Sequence, residues 1–543
     1  MGVIMRRLLP ALLLTAGFLS AQRDIPPGSL NKPERLEWFR DQGFGMFIHW
    51  SVDSQTGVVI SHSLAGADEA YTRRFFEDLP KTFNPRKFYP QDWAALAKLA
   101  GVKYVVFTTK HHSGFTMWDT KTNDFGIMHT PFKHDLTREI LDAFRGQGIA
   151  PGIYFSPDDF WWLWKNKIDV QRGIPGVQPR NNPGLMQLDL AQIQELMTNY
   201  GPIDVVFFDG EPQGLRDLAW KLQPNTIVTR GAIQTPELYV PGVPLEGAWE
   251  ANFTMGTAWQ YQPQNEDYKS GGRVIDILVE TRAKGGNLLL NIGPKPDGEL
   301  PIEQEERLRE VALWMQVNQE CIYNVRPWVI TNEQNIWFTK AKNEDTVYAV
   351  VKQEPRWVRA QWRDFVLKSV QATPQSVVTV LGQNDRVLEY RPEVNPKPSL
   401  KQEADGLHVR AMFTHRLQDN SKWPNPIVLK ITNVKPAFTP PKVETSTAKF
   451  DKATRTATLS GNLTDLGKAP SLEVGFQYRS IIGLDASDRS IPWQNGPSKT
   501  VTATGAFTLT VPDLNPDGVY EFRAYAKHPV LTIYGLDKRL PMK

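Results

Sequence analysis

Between about residues 33 and 325 the chain alternates short apolar runs with longer amphipathic stretches. Phe44 to Ile48, Tyr104 to Thr108, Gly152 to Phe155, Ile203 to Phe208, Thr226 to Thr229 and Leu288 to Ile292 are bounded by turn residues and read as strands. Pro90 to Leu99, Leu136 to Gln147 and Leu188 to Tyr200 repeat their apolar positions at helical spacing. Unbroken apolar strands separated by helices predict a parallel sheet buried on both faces. The span suits a (β/α)₈-like barrel, with uneven spacing after Asp209 predicting an irregular second half. From Trp328 onward the pattern becomes short and alternating, as in Thr346 to Val351 and Val377 to Leu381, which predicts an antiparallel β-sandwich. Beyond the proline-rich stretch Lys435 to Lys442 lie four more alternating segments, Thr456 to Leu463, Leu472 to Tyr478, Gly505 to Val511 and Gly518 to Tyr525. They predict a fibronectin III or immunoglobulin-like unit joined by a semi-rigid linker.

The expected fold class is therefore α/β: a (β/α)₈-like barrel, an antiparallel β-sandwich and a C-terminal immunoglobulin/fibronectin III-like β domain. Expected boundaries are a signal peptide at 1–21, barrel at 22–327, sandwich at 328–440 and last unit at 441–543. The signal rests on Arg6-Arg7, the apolar Leu8 to Leu19 and the small pair Ser20-Ala21. That apolar run is too short to span a bilayer, so export to periplasm or medium is expected, without a membrane span in the mature protein. A net charge of +3 with both signs interspersed gives no reason to expect a nucleic-acid partner. The single cysteine, Cys321, excludes an intrachain disulfide framework. Sequence leaves the oligomeric state open.

Chemistry gathers at the strand ends. Val205-Val206-Phe207-Phe208 runs straight into Asp209-Gly210, placing a carboxylate where a buried strand has no need of one. His49-Trp50, Lys110-His111-His112, Tyr154 and Arg230 occupy comparable positions, and Glu250 closes Gly247-Ala248-Trp249-Glu250. Ionisable groups at successive strand ends converge on one mouth of a barrel. A histidine metal site is not expected, because adjacent residues on a strand point to opposite faces and no third ligand has zinc spacing. Nor is any other cofactor. The seventeen tryptophans add a weak hint of carbohydrate stacking.

The motifs Phe44-Gly45-Met46-Phe47-Ile48-His49-Trp50, Lys110-His111-His112-Ser113-Gly114-Phe115, Phe207-Phe208-Asp209-Gly210 and Gly285-Gly286-Asn287-Leu288-Leu289-Leu290-Asn291-Ile292-Gly293-Pro294 resemble those of glycoside hydrolase family 29. That family comprises the retaining α-L-fucosidases. The resemblance covers roughly residues 30 to 330. It implies exo-acting removal of terminal α-L-fucose from a fucosylated oligosaccharide or glycan by double displacement. Asp209 falls on the family's nucleophile and Glu250 on its acid/base, with Glu246 the alternative. His49, Trp50, Glu69, His111, His112, Tyr154, Phe207, Arg230 and Trp259 are expected to bind the sugar. Ser113, Ala70 and Phe207 depart from the residues usual in that family. They keep open an α-L-galactosidase or related glycosidase, or a non-catalytic glycan-binding relative. The last unit supplies no matched motif and is expected to be dispensable for hydrolysis of a small aryl glycoside.

Overall fold

The computed structural model describes residues 28–264, 266–418, 423–481 and 492–542; the expected signal peptide lies outside them. Seven parallel strands form the first sheet: β1 (Phe44–Ile48), β2 (Tyr104–Lys110), β3 (Gly152–Phe155), β4 (Val205–Phe208), β5 (Ile227–Val228), β6 (Glu250–Thr254) and β7 (Asn287–Ile292). Their order is β5-β4-β3-β2-β1-β7-β6. Six are the strands that the apolar runs predict. The seventh, β6, is not among the predicted strands, since Glu250, Asn252 and Thr254 break its apolar character.

Between β5 and β6 the chain completes the curl without a regular strand. Residues 230–238 bridge both neighbours: Arg230 pairs with Ile233, Gln234 with Trp249, and Glu237 with Asn252. The Phe208 amide donates to the Arg230 carbonyl, and the Glu250 amide to that of Gln234. This is the irregular second half that the spacing predicts. Prolines 236, 241 and 244 remove amide donors, so a full ladder cannot form there.

Inside the curl, Phe47, Tyr104, Val106, Tyr154, Phe207, Ile233 and Leu289 make a packed interior. It is a plug rather than a pore, and it leaves the polar strand ends standing on a rigid floor. Helices Pro90–Leu99, Leu136–Gly146 and Pro183–Asn199 pack outside.

The next strands form two antiparallel sheets. One has the order β12-β15-β10-β9-β8, the other β11-β14-β13. Here β8 is Val325–Glu333, β9 Ile336–Ala341, β10 Val347–Val351, β11 Trp362–Leu367, β12 Val370–Val380, β13 Ser399–Glu403, β14 Gly406–Met412 and β15 Ile427–Pro436. One apolar cluster runs from the barrel's outer layer into these sheets without a break. The last strands are β16 (Lys442–Asp451), β17 (Thr456–Asp465), β18 (Leu472–Ser480), β19 (Gln494–Val501), β20 (Gly505–Val511), β21 (Tyr520–Lys527), β22 (Thr532–Tyr534) and β23 (Lys538–Arg539). They enclose a core of their own, from Val443 to Leu540. Among the described residues, no helix is long and apolar enough to cross a membrane.

One buried ion cluster fixes the turn beyond β2. Lys110 Nζ lies 2.8 Å from Asp189 Oδ1 and 3.3 Å from Asp159 Oδ2, all three side chains being fully buried. Replacing Lys110 by Met would leave two carboxylates unpaired in the interior. Loss of one partner from such a cluster costs about 3–5 kcal/mol. Lys110→Met should therefore lower the denaturant midpoint strongly in equilibrium unfolding.

Candidate active site

Asp209 follows β4 directly, and the turn at Gly210 takes the left-handed φ of 151° that a side chain would oppose. Donors face its carboxylate from several sides. Tyr154 donates its hydroxyl to Oδ2 at 2.9 Å, and His112 Nε2 lies 3.5 Å from the same oxygen. Arg230 Nη1 and Arg172 Nη2 approach Oδ1 at 3.4 and 3.7 Å. Burial and the adjoining carboxylate hold the Tyr154 phenol well above its usual range, so it stays a donor. Asp209 is 14% exposed, enough to meet a ligand from the mouth.

The histidines are neutral, because burial pushes both His111 and His112 well below the usual imidazole value. His112 Nε2 accepts from Arg172 Nη1 at 2.6 Å, which places its proton on Nδ1, 2.6 Å from Ser156 Oγ. His111 Nδ1 pairs with Ser61 Oγ at 2.9 Å, and its ring stacks parallel to Tyr154. The two imidazoles do not take opposite faces as a continuing strand would require. The strand ends at Lys110, and the following turn brings their rings to 4.0 Å, both beside Asp209.

Ligand atoms of His111, His112 and Asp209 lie within 4.8 Å of one another. A cation fits poorly there, because the His112 lone pair already receives Arg172 and two guanidinium groups flank Asp209.

His49 and Trp259 extend the same wall. His49 Nδ1 lies 2.6 Å from Asn291 Oδ1, and its ring is 5.0 Å from the partly exposed Trp259 indole. Burial lowers the His49 pKa to about 4.

Three expected sugar contacts lie elsewhere. Trp50 is fully buried against Phe83, Phe88 and Trp93. The strand alternation that turns His49 inward turns Trp50 outward into the helix layer. Glu69 begins helix Glu69–Glu77 on the surface, 62% exposed and paired with Arg73. Phe207 belongs to the floor: Tyr154 stacks on it, and the Arg230 guanidinium sits 4.5 Å above its centroid.

Glu250 departs most from expectation. It opens β6 instead of closing a strand, so it enters the barrel from the lower side. Its side chain is fully buried and accepts the Tyr104 hydroxyl at 2.5 Å. Burial raises its pKa to about 7. That value alone would suit a general acid, but a group must reach the leaving oxygen before its pKa matters. Glu246 lies exposed in the loop before it.

Three residues at the mouth were not singled out from sequence. Arg172 contacts Asp158 at 2.9 Å as well as His112 and Asp209. The exposed His62 ring lies 5.2 Å from that of His112. It follows Ser61, a left-handed residue (φ 57°) whose amide donates to Asp53 Oδ2 at 2.7 Å. Glu237, 41% exposed, takes Arg230 Nη2 at 2.8 Å, so one guanidinium spans Asp209 and Glu237. The signal for Glu237 was available: Thr235-Pro236-Glu237 lies seven residues past Arg230 and carries a carboxylate beyond a strand end.

An acidic residue at the end of β4, a second carboxylate across a shared arginine, and neutral imidazole and phenol donors form the kind of site that cleaves glycosidic bonds. The family profile described as Alpha-L-fucosidase matches residues 20–320. The plasma α-L-fucosidase of Rattus norvegicus is 30% identical over 403 residues, covering 65% of this chain and 86% of its own. The α-L-fucosidase of Branchiostoma floridae is 30% identical over 420 residues, covering 68% and 90%. Among solved structures, α-L-fucosidase isoenzyme 1 from Paenibacillus thiaminolyticus superposes with a TM-score of 0.60 at 26% identity, covering 74% of this chain and 99% of its own. The chain belongs to the α-L-fucosidase family, the retaining glycoside hydrolases of family 29.

The buried Glu250 gives a stability prediction. Its folded carboxyl binds a proton more tightly than the unfolded one does. Its contribution is therefore full below the ordinary value of 4.5 and is lost as pH rises through about 7. The loss is about 3 kcal/mol between those limits. Glu250→Gln, which keeps the neutral form, should flatten the pH dependence of unfolding between pH 5 and 8 and leave the variant the more stable at pH 8.

Proposed function

We propose that the chain removes terminal α-L-fucose from glycans by double displacement, with Asp209 as nucleophile and Glu237 as acid/base. The observation that carries the reading is the Arg230 bridge, which sets the two carboxylates on separate nitrogens of one guanidinium. In the first step an Asp209 oxygen attacks the anomeric carbon, and the bond to the leaving oxygen breaks. Glu237 supplies the proton that this oxygen takes up. In the second step Glu237 removes a proton from water, whose oxygen attacks the same carbon and frees Asp209. Retaining hydrolases need their carboxyl groups roughly 5–5.5 Å apart, because no water intervenes in the first step. Glu237 serves this role better than Glu250, whose carboxyl is buried on Tyr104 below the pocket floor.

Tyr154, Arg172 and Arg230 hold Asp209 in the anionic form that a nucleophile needs. His49, His111 and the exposed His62 supply imidazoles for ring hydroxyls. Donors fixed in this way favour the oxocarbenium-like transition state without reorganising. Trp259 offers the apolar face for the C5 methyl. Export by the N-terminal segment and a division at about 327 and 440 into barrel, sandwich and terminal unit complete the proposal.

Asp209→Ala should cost at least roughly a thousandfold in turnover, about 4 kcal/mol of barrier. Retention of near-normal turnover in a clean preparation would remove Asp209 from the role. Glu237→Ala should spare the first step for a phenol of low pKa while crippling natural glycans, which need a proton on the leaving oxygen. Equal losses on both substrates, with Glu250→Ala showing the selective pattern, would return the role to Glu250.

Specificity can be measured on the wild type. L-Galactose adds a hydroxyl at the C5 substituent, and burying it unpaired costs roughly 1–3 kcal/mol. We expect kcat/KM for an aryl α-L-fucoside to exceed that for the α-L-galactoside by about ten- to a hundredfold. A reversed ratio would mean that the pocket is built for the more hydroxylated sugar.

A further inference from the structure

The segment that carries Glu237 leaves the barrel mouth, runs out to about residue 246 and returns as β6. Its near half is tied down. The Asn252 amide donates to the Pro236 carbonyl and the Leu238 amide to the Asn252 carbonyl, both at 2.9 Å. Val240 is buried in the main core, and Leu245 packs against the same cluster. Its outer turn rests on the terminal β unit. At Gly242 a Cβ would stand 2.5 Å from Asp537 Oδ1, closer than side chains approach. Val243 lines a cleft of about 480 Å³ together with Val443, Thr445, Ile533, Tyr534 and Leu536. Leu531 and Ile533, at the edge of the terminal unit, pack against the cluster that holds Val240.

We propose that the terminal β unit is a buttress for the acid/base segment, with Asp537 packed against Gly242 setting where Glu237 stands. The inference rests on the assignment of Glu237 as acid/base. Prolines 236, 241 and 244 fix backbone φ at three of nine consecutive positions, so a displacement at 242 is carried along the segment rather than absorbed by it. Arg230 resists at the far end through its 2.8 Å contact with Glu237. The terminal unit thus becomes a positioning element of the reaction, contrary to the expectation that it is dispensable.

The test uses the full chain and a pair of compensating substitutions. Gly242 does not occupy the left-handed region, so Gly242→Ala adds no backbone strain and acts through the Asp537 contact. Gly242→Ala should lower kcat/KM, which reports the first step, on a fucosylated oligosaccharide about tenfold or more, since small misplacements of a catalytic group are costly. On an aryl fucoside with an acidic phenol the loss should stay within about twofold, because that leaving group needs little protonation. Asp537→Ala in the same chain opens the space and should restore the oligosaccharide rate. Equal losses on both substrates, no loss on either, or failure of Asp537→Ala to rescue would overturn the buttress. Glu237→Ala, measured alongside, separates the two ideas. Without leaving-group selectivity in Glu237→Ala the acid/base assignment itself falls; with it, and none in Gly242→Ala, only the buttress falls.

Discussion

The Arg230 guanidinium is the contact on which the site depends. It lies over the Phe207 ring at the barrel floor, reaches Asp209 with one nitrogen and Glu237 with another, and is itself buried. Desolvating a guanidinium is costly unless acceptors face it, and here two carboxylates do. Arginine suits the position because its planar fork holds two acceptors at fixed separation, whereas a lysine ammonium would pull both toward one point. Phe207 adds a flat face for the guanidinium plane. Phe207, buried in the floor, therefore has a structural part in holding the arginine.

Around this bridge the barrel supplies rigidity in layers. The aromatic plug of Phe47, Tyr154 and Phe207 sets the height of the floor. The Lys110–Asp159–Asp189 cluster fixes the turn that aims His111 and His112. Ser61 joins that turn to the neighbouring loop, pairing through Oγ with both His111 Nδ1 and the Ser113 amide at 2.9 Å. Ser113 needs no carboxylate to be held in this arrangement. Charge at the site is thus arranged by neutral imidazoles and one phenol around Asp209, with Arg172 and Arg230 shared between it and the carboxylates of Asp158 and Glu237.

The parts of the fold governed by local pattern were legible in the sequence. Six strands of the parallel sheet announce themselves as apolar runs, and Asp209, Tyr154, His49, His111, His112 and Arg230 follow from their ends. The departures from expectation have one physical origin, the face or end of an element on which a residue falls. Trp50 lies one residue beyond His49 and faces the opposite way. Glu250 follows Trp249 as though it ended a strand, yet it begins one, because the preceding closure between β5 and β6 is made by isolated bridges that leave no periodic signature. Glu237 belongs to that same irregular stretch. Arg172 and His62 reach the site from loops whose path only tertiary packing determines.

Glu250 shows why a shifted pKa and a catalytic position are separate properties. Its carboxyl is raised to about 7 by burial, the value that a general acid at neutral pH would need. The same burial removes it from any sugar, and its hydroxyl partner Tyr104 holds it below the floor. A protonated Glu250 costs far less to bury than an ionised one, so its proton serves the packing of the barrel interior. Glu237, half in solvent, can exchange protons with water, as the proposed second step requires. Within one strand-and-loop segment the protein has placed one carboxyl where burial favours its neutral form and another where solvent reaches it.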